Sequence, residues 1–183
     1  MDAIELLLGR ASAPKVREPG PTPSQMDTIL RAGSRAPDHG RMQPFRFVVI
    51  EGEARDRLGE LMASALAARD PSASDAALVS ARAKAMRSPT IIAVGAAVRP
   101  NPMVPDIEQV LAAGAACQNM MLAAHALGLG AAWRTGDPAY DLAVKAGLGF
   151  EPCDAIVGFL YLGTPIAAPP ERRVDVAALT RWL

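Results

Sequence analysis

Three groups of polar side chains in this sequence have the chemistry to hold an anion beside apolar chain. Arg10 and Ser12 stand two residues apart after an apolar stretch, Arg35, His39 and Gln43 fall on one loop, and Arg134 follows the turn Gly128-Leu129-Gly130. A guanidinium offers a planar fork that matches two phosphate oxygens, and a serine hydroxyl adds a short donor. Each has a plainer reading. Arg10 also suits a helix C-terminus, Arg35 a solvated surface, and His39 a hydrogen-bonded place in its loop.

Several other chemistries are excluded by pattern. No GxxxxGK[ST] phosphate loop occurs, and no GxSxG nucleophile elbow. Gly128-Leu129-Gly130 lacks the third glycine of a dinucleotide fingerprint and follows a helical pattern rather than a strand. With only His39 and His125, and with Cys117 and Cys153 far apart, no dedicated metal site is expected. The 19 Lys+Arg balance 19 Asp+Glu, which argues against a nucleic-acid partner held by a basic field.

The elements that must position these groups can be read from caps and periodicity. Asp2 to Gly9 is a short helix with Ile4, Leu7 and Leu8 on one face. Thr22-Pro23-Ser24-Gln25 opens a second helix through a capping box, and it ends near Gly33. Phe45 to Ile50 is a strand, Glu53 to Arg69 and Ser74 to Arg87 are helices, and Thr90 to Val98 is a central strand. Asp106 to Leu127 reads as a long buried helix, Ala131 to Thr135 as a strand, Pro138 to Ala146 as a helix, and Asp154 to Leu162 as a last strand. The tail carries Val176, Leu179 and Leu183, enough apolar surface to dock on something.

All 183 residues are expected to form a single α+β domain, since no linker or repeat divides them. The segment from Val110 to Trp133 has no charged side chain, yet it is rich in Ala and Gly and broken at Gly128 and Gly130. A buried helix and a strand are expected there, not a membrane span. Asp2 and Glu5 precede Leu6-Leu7-Leu8, so no signal peptide is expected, and two free cysteines fit a cytoplasmic location. The chain holds 36 alanines and only 4% aromatics, so its core buries little area per residue. Self-association is therefore expected.

Taken in order, four segments resemble the nitroreductase superfamily of flavin enzymes, and especially its compact members. They are Gly9-Arg10-Ala11-Ser12, the run from Arg31 to Phe45 containing Ala36-Pro37-Asp38-His39 and Gln43-Pro44-Phe45, the run Leu127 to Arg134, and Ile156 to Pro165. The resemblance implies a central mixed, mainly antiparallel sheet flanked by helices and built as an intertwined homodimer with FMN at the interface. It implies that Arg10, Ala11 and Ser12 hold the FMN phosphate and ribityl chain, joined by Ala131, Ala132, Trp133 and Arg134. Arg35 and His39 are then expected to reach the same FMN from the partner chain, with Gln43 near the ring.

It further implies an NAD(P)H-dependent oxidoreductase in which the flavin does the chemistry. Hydride passes to flavin N5 and then two electrons pass to a small acceptor such as a nitroaromatic or a quinone, in alternating half-reactions. Two other readings share the same residues: a flavin-binding sensor or carrier without turnover, and a specialised flavin enzyme. The chain departs from the family pattern at three places, one of them Arg41, where an Asn often stands. Ala11 stands where many members carry a basic residue, and Pro14 stands where larger members place a cation, leaving Lys15 or Arg17 to substitute. Arg172 or Arg173 is a further candidate for a phosphate contact.

Overall fold

The helix starts follow from local hydrogen bonding. Asp2 accepts from the N–H groups of Ile4 at 2.7 Å and Glu5 at 3.0 Å, while Glu5 accepts from the N–H of Asp2 at 3.1 Å, opening α1 (Ala3–Gly9). Thr22 and Gln25 form the same reciprocal pair ahead of α2 (Pro23–Gly33). Pro23 sits in the first turn, where its missing N–H leaves no bond unmade. The computed structural model describes residues 2–169 and 174–183; Arg172 and Arg173 lie outside the described residues.

Five strands form the sheet: β1 (Val16–Arg17), β2 (Phe45–Glu51), β3 (Thr90–Ala96), β4 (Gly130–Arg134) and β5 (Ala155–Pro165). β2, β3, β5 and β4 lie side by side, and every pairing is antiparallel. β1 joins the far end of β5, with Val16 opposite Pro165 and Arg17 opposite Thr164. The remaining helices are α3 (Ala54–Arg69), α4 (Asp75–Ala83), α5 (Asp106–Ala126) and α6 (Leu142–Gly147).

The pleat divides the core in two. Along β3 and β5, Ile91, Ala93, Phe159 and Tyr161 point to the side of Leu58, Met62 and Val144, on α3 and α6. Ile92, Val94, Leu160 and Leu162 point to the side of Ile29, Cys117 and Met120, on α2 and α5. All seven residues of β3 are buried, as its unbroken apolar run implied. Burial pushes the Cys117 thiol up to about 12, so it behaves as a small apolar core group.

Three expectations are corrected. The segment expected to be one helix from Pro138 to Ala146 is a single 3-10 turn, Asp137–Ala139, followed by α6. Asp141 accepts from the N–H groups of Ala143 and Val144, starting a fresh helix there. β5 runs three residues past Leu162, because β1 supplies a partner for Thr164 and Pro165. α5 is buried along one side only: Ile107 and Leu111 are 60% and 62% exposed.

Candidate functional site

The chain leaving α1 is fastened to β4. The Arg10 N–H donates to the carbonyl of Leu6 at 3.2 Å, and the Ala13 N–H donates to the carbonyl of Ala131 at 2.9 Å. Further on, the Ile166 N–H donates to the carbonyl of Lys15 at 3.3 Å. Residues 10 to 15 therefore run between the edge of β4 and the end of β5. The segment that carries Arg10, Ala11 and Ser12 is thereby tied to β4 at Ala131.

The turn that aims β4 at this segment depends on two glycines. Gly128 has φ +78° and closes α5. Its N–H donates to the carbonyl of His125, and the Leu129 N–H donates to the carbonyl of Ala124 at 2.8 Å, which satisfies the open helix end. Gly130 lies under the fastened segment: a Cβ there would stand 2.7 Å from Val16 Cγ1 and 3.0 Å from Ala13 Cβ. The segment can approach β4 only because that position carries no side chain.

Arg10 has an unusual electrostatic state. Its Nη1 is buried and has no hydrogen-bond partner among the described residues. An unpaired buried donor costs about 1–3 kcal/mol. Evolution tolerates such a group where an external acceptor completes it, and an oxyanion suits a guanidinium best. The Ser12 side chain is exposed next to it.

Trp133 and Arg134 project from the other end of β4 and are both exposed. The Trp133 indole Nε1 donates to the carbonyl of Val157 at 3.2 Å. Its ring occupies the space that a Cβ on Gly158 would take, 2.1 Å from Nε1. Beside these residues lie two adjoining clefts. The first, of about 410 Å³, is lined by Ala13, Pro14, Lys15 and Ala132, with Arg87 and Arg134 flanking Tyr161. The second, of about 530 Å³, shares Arg87, Arg134 and Tyr161 and adds Lys84, Trp133 and Asp137. Burial raises the Tyr161 phenol above its ordinary value, against the opposing pull of Arg87 and Arg134, so it stays protonated and neutral. Of the two cations expected to replace one at Pro14, Lys15 lines the first cleft and Arg17 does not.

Sequence reasoning missed Lys84, Arg87 and Tyr161. Lys84 and Arg87 sit at the 3-10 turn after α4 and read as solvated helix-end cations. Tyr161 carries the one available signal, a hydroxyl within the apolar run Phe159 to Leu162.

The second group of candidates lies elsewhere. The carboxylate of Asp38 accepts from the N–H groups of Met42 at 3.2 Å and Gln43 at 2.7 Å, folding the loop over a 3-10 turn, His39–Arg41. Arg41 and Gln43 are held at φ 54° and φ 47°, strained values that the Asp38 bonds help to maintain. His39 Nδ1 bonds the Glu108 carboxylate at the start of α5. Gly9, by contrast, lies against His125 at the other end of that helix. The interval from Glu108 to His125 is about 25 Å of helix. Within one chain, then, His39, with Gln43 on the same loop, is held at the end of α5 away from Arg10 and Ser12, while Arg35 follows Ala32, whose carbonyl accepts from Asn119 part-way along that helix.

Along one side α5 leaves Ile107, Leu111 and Gln118 exposed, with Gly114 and Ala115 half-buried between them. α1 buries no residue, leaving Ile4, Leu7 and Leu8 at 63%, 53% and 83% exposure. Residues 174–183 are exposed throughout, with Trp182 at 91%. Such apolar surface is more than a solitary small protein ordinarily shows water.

Comparison with known proteins agrees with this geometry. The family described as "Nitroreductase family" matches residues 10–164. A protein of Escherichia coli named "Putative NAD(P)H nitroreductase YdjA" is 46% identical over 165 residues, covering 90% of this chain and 89% of its own. Among solved structures, a nitroreductase-like family protein from Bacillus cereus superposes with a TM-score of 0.83 at 22% identity, covering 100% of this chain and 96% of that one. A structure titled as a putative nitroreductase in complex with FMN, from Desulfovibrio desulfuricans, gives a TM-score of 0.75 at 25% identity, covering 98% and 96%. Among the described residues no helix is long and apolar enough to cross a membrane.

Proposed function

The chain belongs to the nitroreductase family, and from that premise we propose that it is an FMN-dependent NAD(P)H oxidoreductase working as a cytoplasmic homodimer of single-domain subunits. One observation carries the cofactor assignment. The buried Nη1 of Arg10, without a partner among the described residues, suits an external acceptor, and the FMN phosphate is an acceptor of the right charge and shape. When bound, FMN supplies two-electron chemistry, accepting hydride from NAD(P)H and reducing a small acceptor.

The residues of this chain do the rest. Arg10 and Ser12 bind the phosphate end, and the bare backbone at Gly130 lets the segment from Arg10 to Ala13 close against β4. Ala131, Ala132, Trp133 and Arg134 form the wall along which the cofactor lies. Lys15 and Arg87, in the first cleft, provide positive charge that favours an anionic reduced ring. No general acid or base is assigned. The wide, open clefts suit alternating half-reactions, with the donor leaving before a nitroaromatic or quinone enters.

The separation along α5 supports a shared site. An isologous dimer with the two α5 helices antiparallel, centred near Gly114 to Gln118, sets the Glu108 end of one chain beside the His125 end of the other. Arg35, His39 and Gln43 then act on the cofactor held by Arg10 of the partner. The exposed faces of α1 and of residues 174–183 become buried in the same assembly.

The test is an absorbance spectrum of purified protein before and after anaerobic NADH or NADPH. Flavin bands that bleach support the proposal. Bands that persist with both donors leave a flavin binder without turnover, and a protein that takes up no FMN overturns the reading.

A further inference from the structure

Lys15, Lys84, Arg87 and Arg134 make no ion pair and no side-chain hydrogen bond among the described residues. In a chain whose charges balance at 19 against 19, that is a local concentration of free positive charge. Among the described residues the one carboxylate lining the second cleft, Asp137, is already engaged by Arg69 Nη2 at 2.7 Å. The cleft therefore faces solvent as a net cation, with Lys84, Arg87 and Arg134 around it.

FMN accounts for only part of this cluster: Lys15, Arg87 and Arg134 reach the first cleft, where the ring lies, whereas Lys84 lines the second cleft alone. FMN brings one phosphate, and Arg10 is placed for that group at the α1 end of the site. Lys84, Arg87 and Arg134 surround the polar cleft next to Trp133, and Arg87 and Arg134 are common to it and to the more apolar first cleft. The shape suits a second molecule with a flat ring at one end and several phosphates at the other. A nicotinamide dinucleotide has that build. NADH carries only its pyrophosphate, whereas NADPH adds a 2′-phosphate with a charge of about −1.5 to −2.

We propose that Lys84, Arg87 and Arg134 bind the phosphate end of the donor and make NADPH, rather than NADH, the preferred reductant. This deepens the functional reading above and rests on it. Arg87 and Arg134 stand at the junction of the two clefts, while Lys84 belongs to the polar one alone, so Lys84 is the clean position to change. A lysine is a point charge that meets a phosphate without fixed geometry. Its contribution is therefore sensitive to ionic strength.

The experiment uses FMN-loaded protein. Donor affinity is read from the rate of anaerobic flavin bleaching against NADPH or NADH concentration. Independently, adenosine 2′,5′-bisphosphate and adenosine 5′-monophosphate are titrated calorimetrically into the oxidised holoprotein. NADPH and the bisphosphate are expected to bind about tenfold or more tightly than their counterparts, the scale of one charge-assisted contact. Lys84→Gln should remove most of that advantage for both, with NADH affinity changed less than about twofold and FMN content retained. Lys84→Arg, which keeps the charge, should retain the preference, and the preference should also shrink as salt rises. Equal affinity for the two donors, or an advantage unmoved by Lys84→Gln, overturns this inference while leaving the oxidoreductase intact. Failure of both donors to bleach bound flavin removes the underlying reading and this inference with it.

Discussion

Replacing Arg10 with alanine separates two effects of one side chain. In unliganded protein Nη1 is buried without a partner among the described residues, a state that costs about 1–3 kcal/mol. Alanine relieves that cost but gives up the packing of the aliphatic stem, so the two changes oppose each other. The unliganded variant should stay within about 1 kcal/mol of the parent, a shift of no more than about 2–4 °C in Tm for a chain of this size. With FMN the result is different. Losing a charge-assisted contact of about 2–3 kcal/mol weakens binding by about thirty- to a hundredfold or more. At FMN a hundred times the parent Kd, binding stabilises the parent by about 2.7 kcal/mol, and a thirtyfold weaker variant by only about 0.9 kcal/mol. The melting temperatures should therefore diverge by about 4–7 °C when FMN is added and nearly coincide without it. Scanning calorimetry with and without FMN, together with a fluorescence titration for Kd, reads both arms. An unchanged Kd would refute the phosphate role, and an unliganded variant destabilised by well over 2 kcal/mol would mean that Arg10 holds the fold instead.

Three further predictions concern the frame around the site. Gly158→Ala puts a methyl 2.1 Å from Trp133 Nε1, so the indole must leave its bond to Val157. The expected cost is about 1–3 kcal/mol, with a changed near-UV circular dichroism band and weaker FMN binding; an unaltered band would contradict the packing. Leu111→Glu, at a position 62% exposed in one chain, should leave the subunit folded but give a monomer by light scattering, because the dimer would bury the carboxylate twice. A persistent dimer would exclude the face of α5 from the interface. Native protein should titrate only one thiol, the exposed Cys153, with a disulfide reagent, and two when unfolded. Because burial raises the Cys117 thiol from 9.0 to about 12, the folded state holds its proton longer. Its contribution to stability is complete below pH 9 and falls away as pH climbs towards 12, which alkaline denaturation checks.

Signals confined to a few neighbouring residues were legible in the sequence. The capping pair Thr22–Gln25, the helix starts at Asp2 and Ser74 and the stop at Gly128 fall where they were expected, as does the buried β3. What escaped reading depends on long-range partners. β1 is two residues long and exists because β5 reaches past Leu162, and neither residue of β1 announces that pairing. The break at Asp141 was hidden because Pro138 and Ala146 bracket a stretch of acceptable helix formers, and the cap bonds form only once the 3-10 turn has redirected the chain. In the candidate site, Arg10, Ser12 and the residues of β4 were legible because one segment carries each group. Lys84 and Arg87 were not, since nothing in sequence separates a cation aimed into a cleft from one in solvent. The side of α5 left open was also invisible, because Ile107 and Leu111 are as apolar as its core residues.

The central claim is that Arg10 and Ser12 of one chain and Arg35, His39 and Gln43 of the other form one FMN site, His39 lying about 25 Å along α5 from the His125 end within its own chain. Arg10→Ala and Arg35→Ala chains carrying different affinity tags can be co-expressed and the mixed dimer isolated by two successive purifications. In that dimer one site combines both substitutions and the other retains Arg10 from one chain and Arg35 from its partner. The account requires each variant homodimer to bind FMN weakly and the mixed dimer to bind one FMN per dimer with the parent affinity. A mixed dimer with no tight FMN, or an Arg35→Ala homodimer that binds as the parent does, would contradict it.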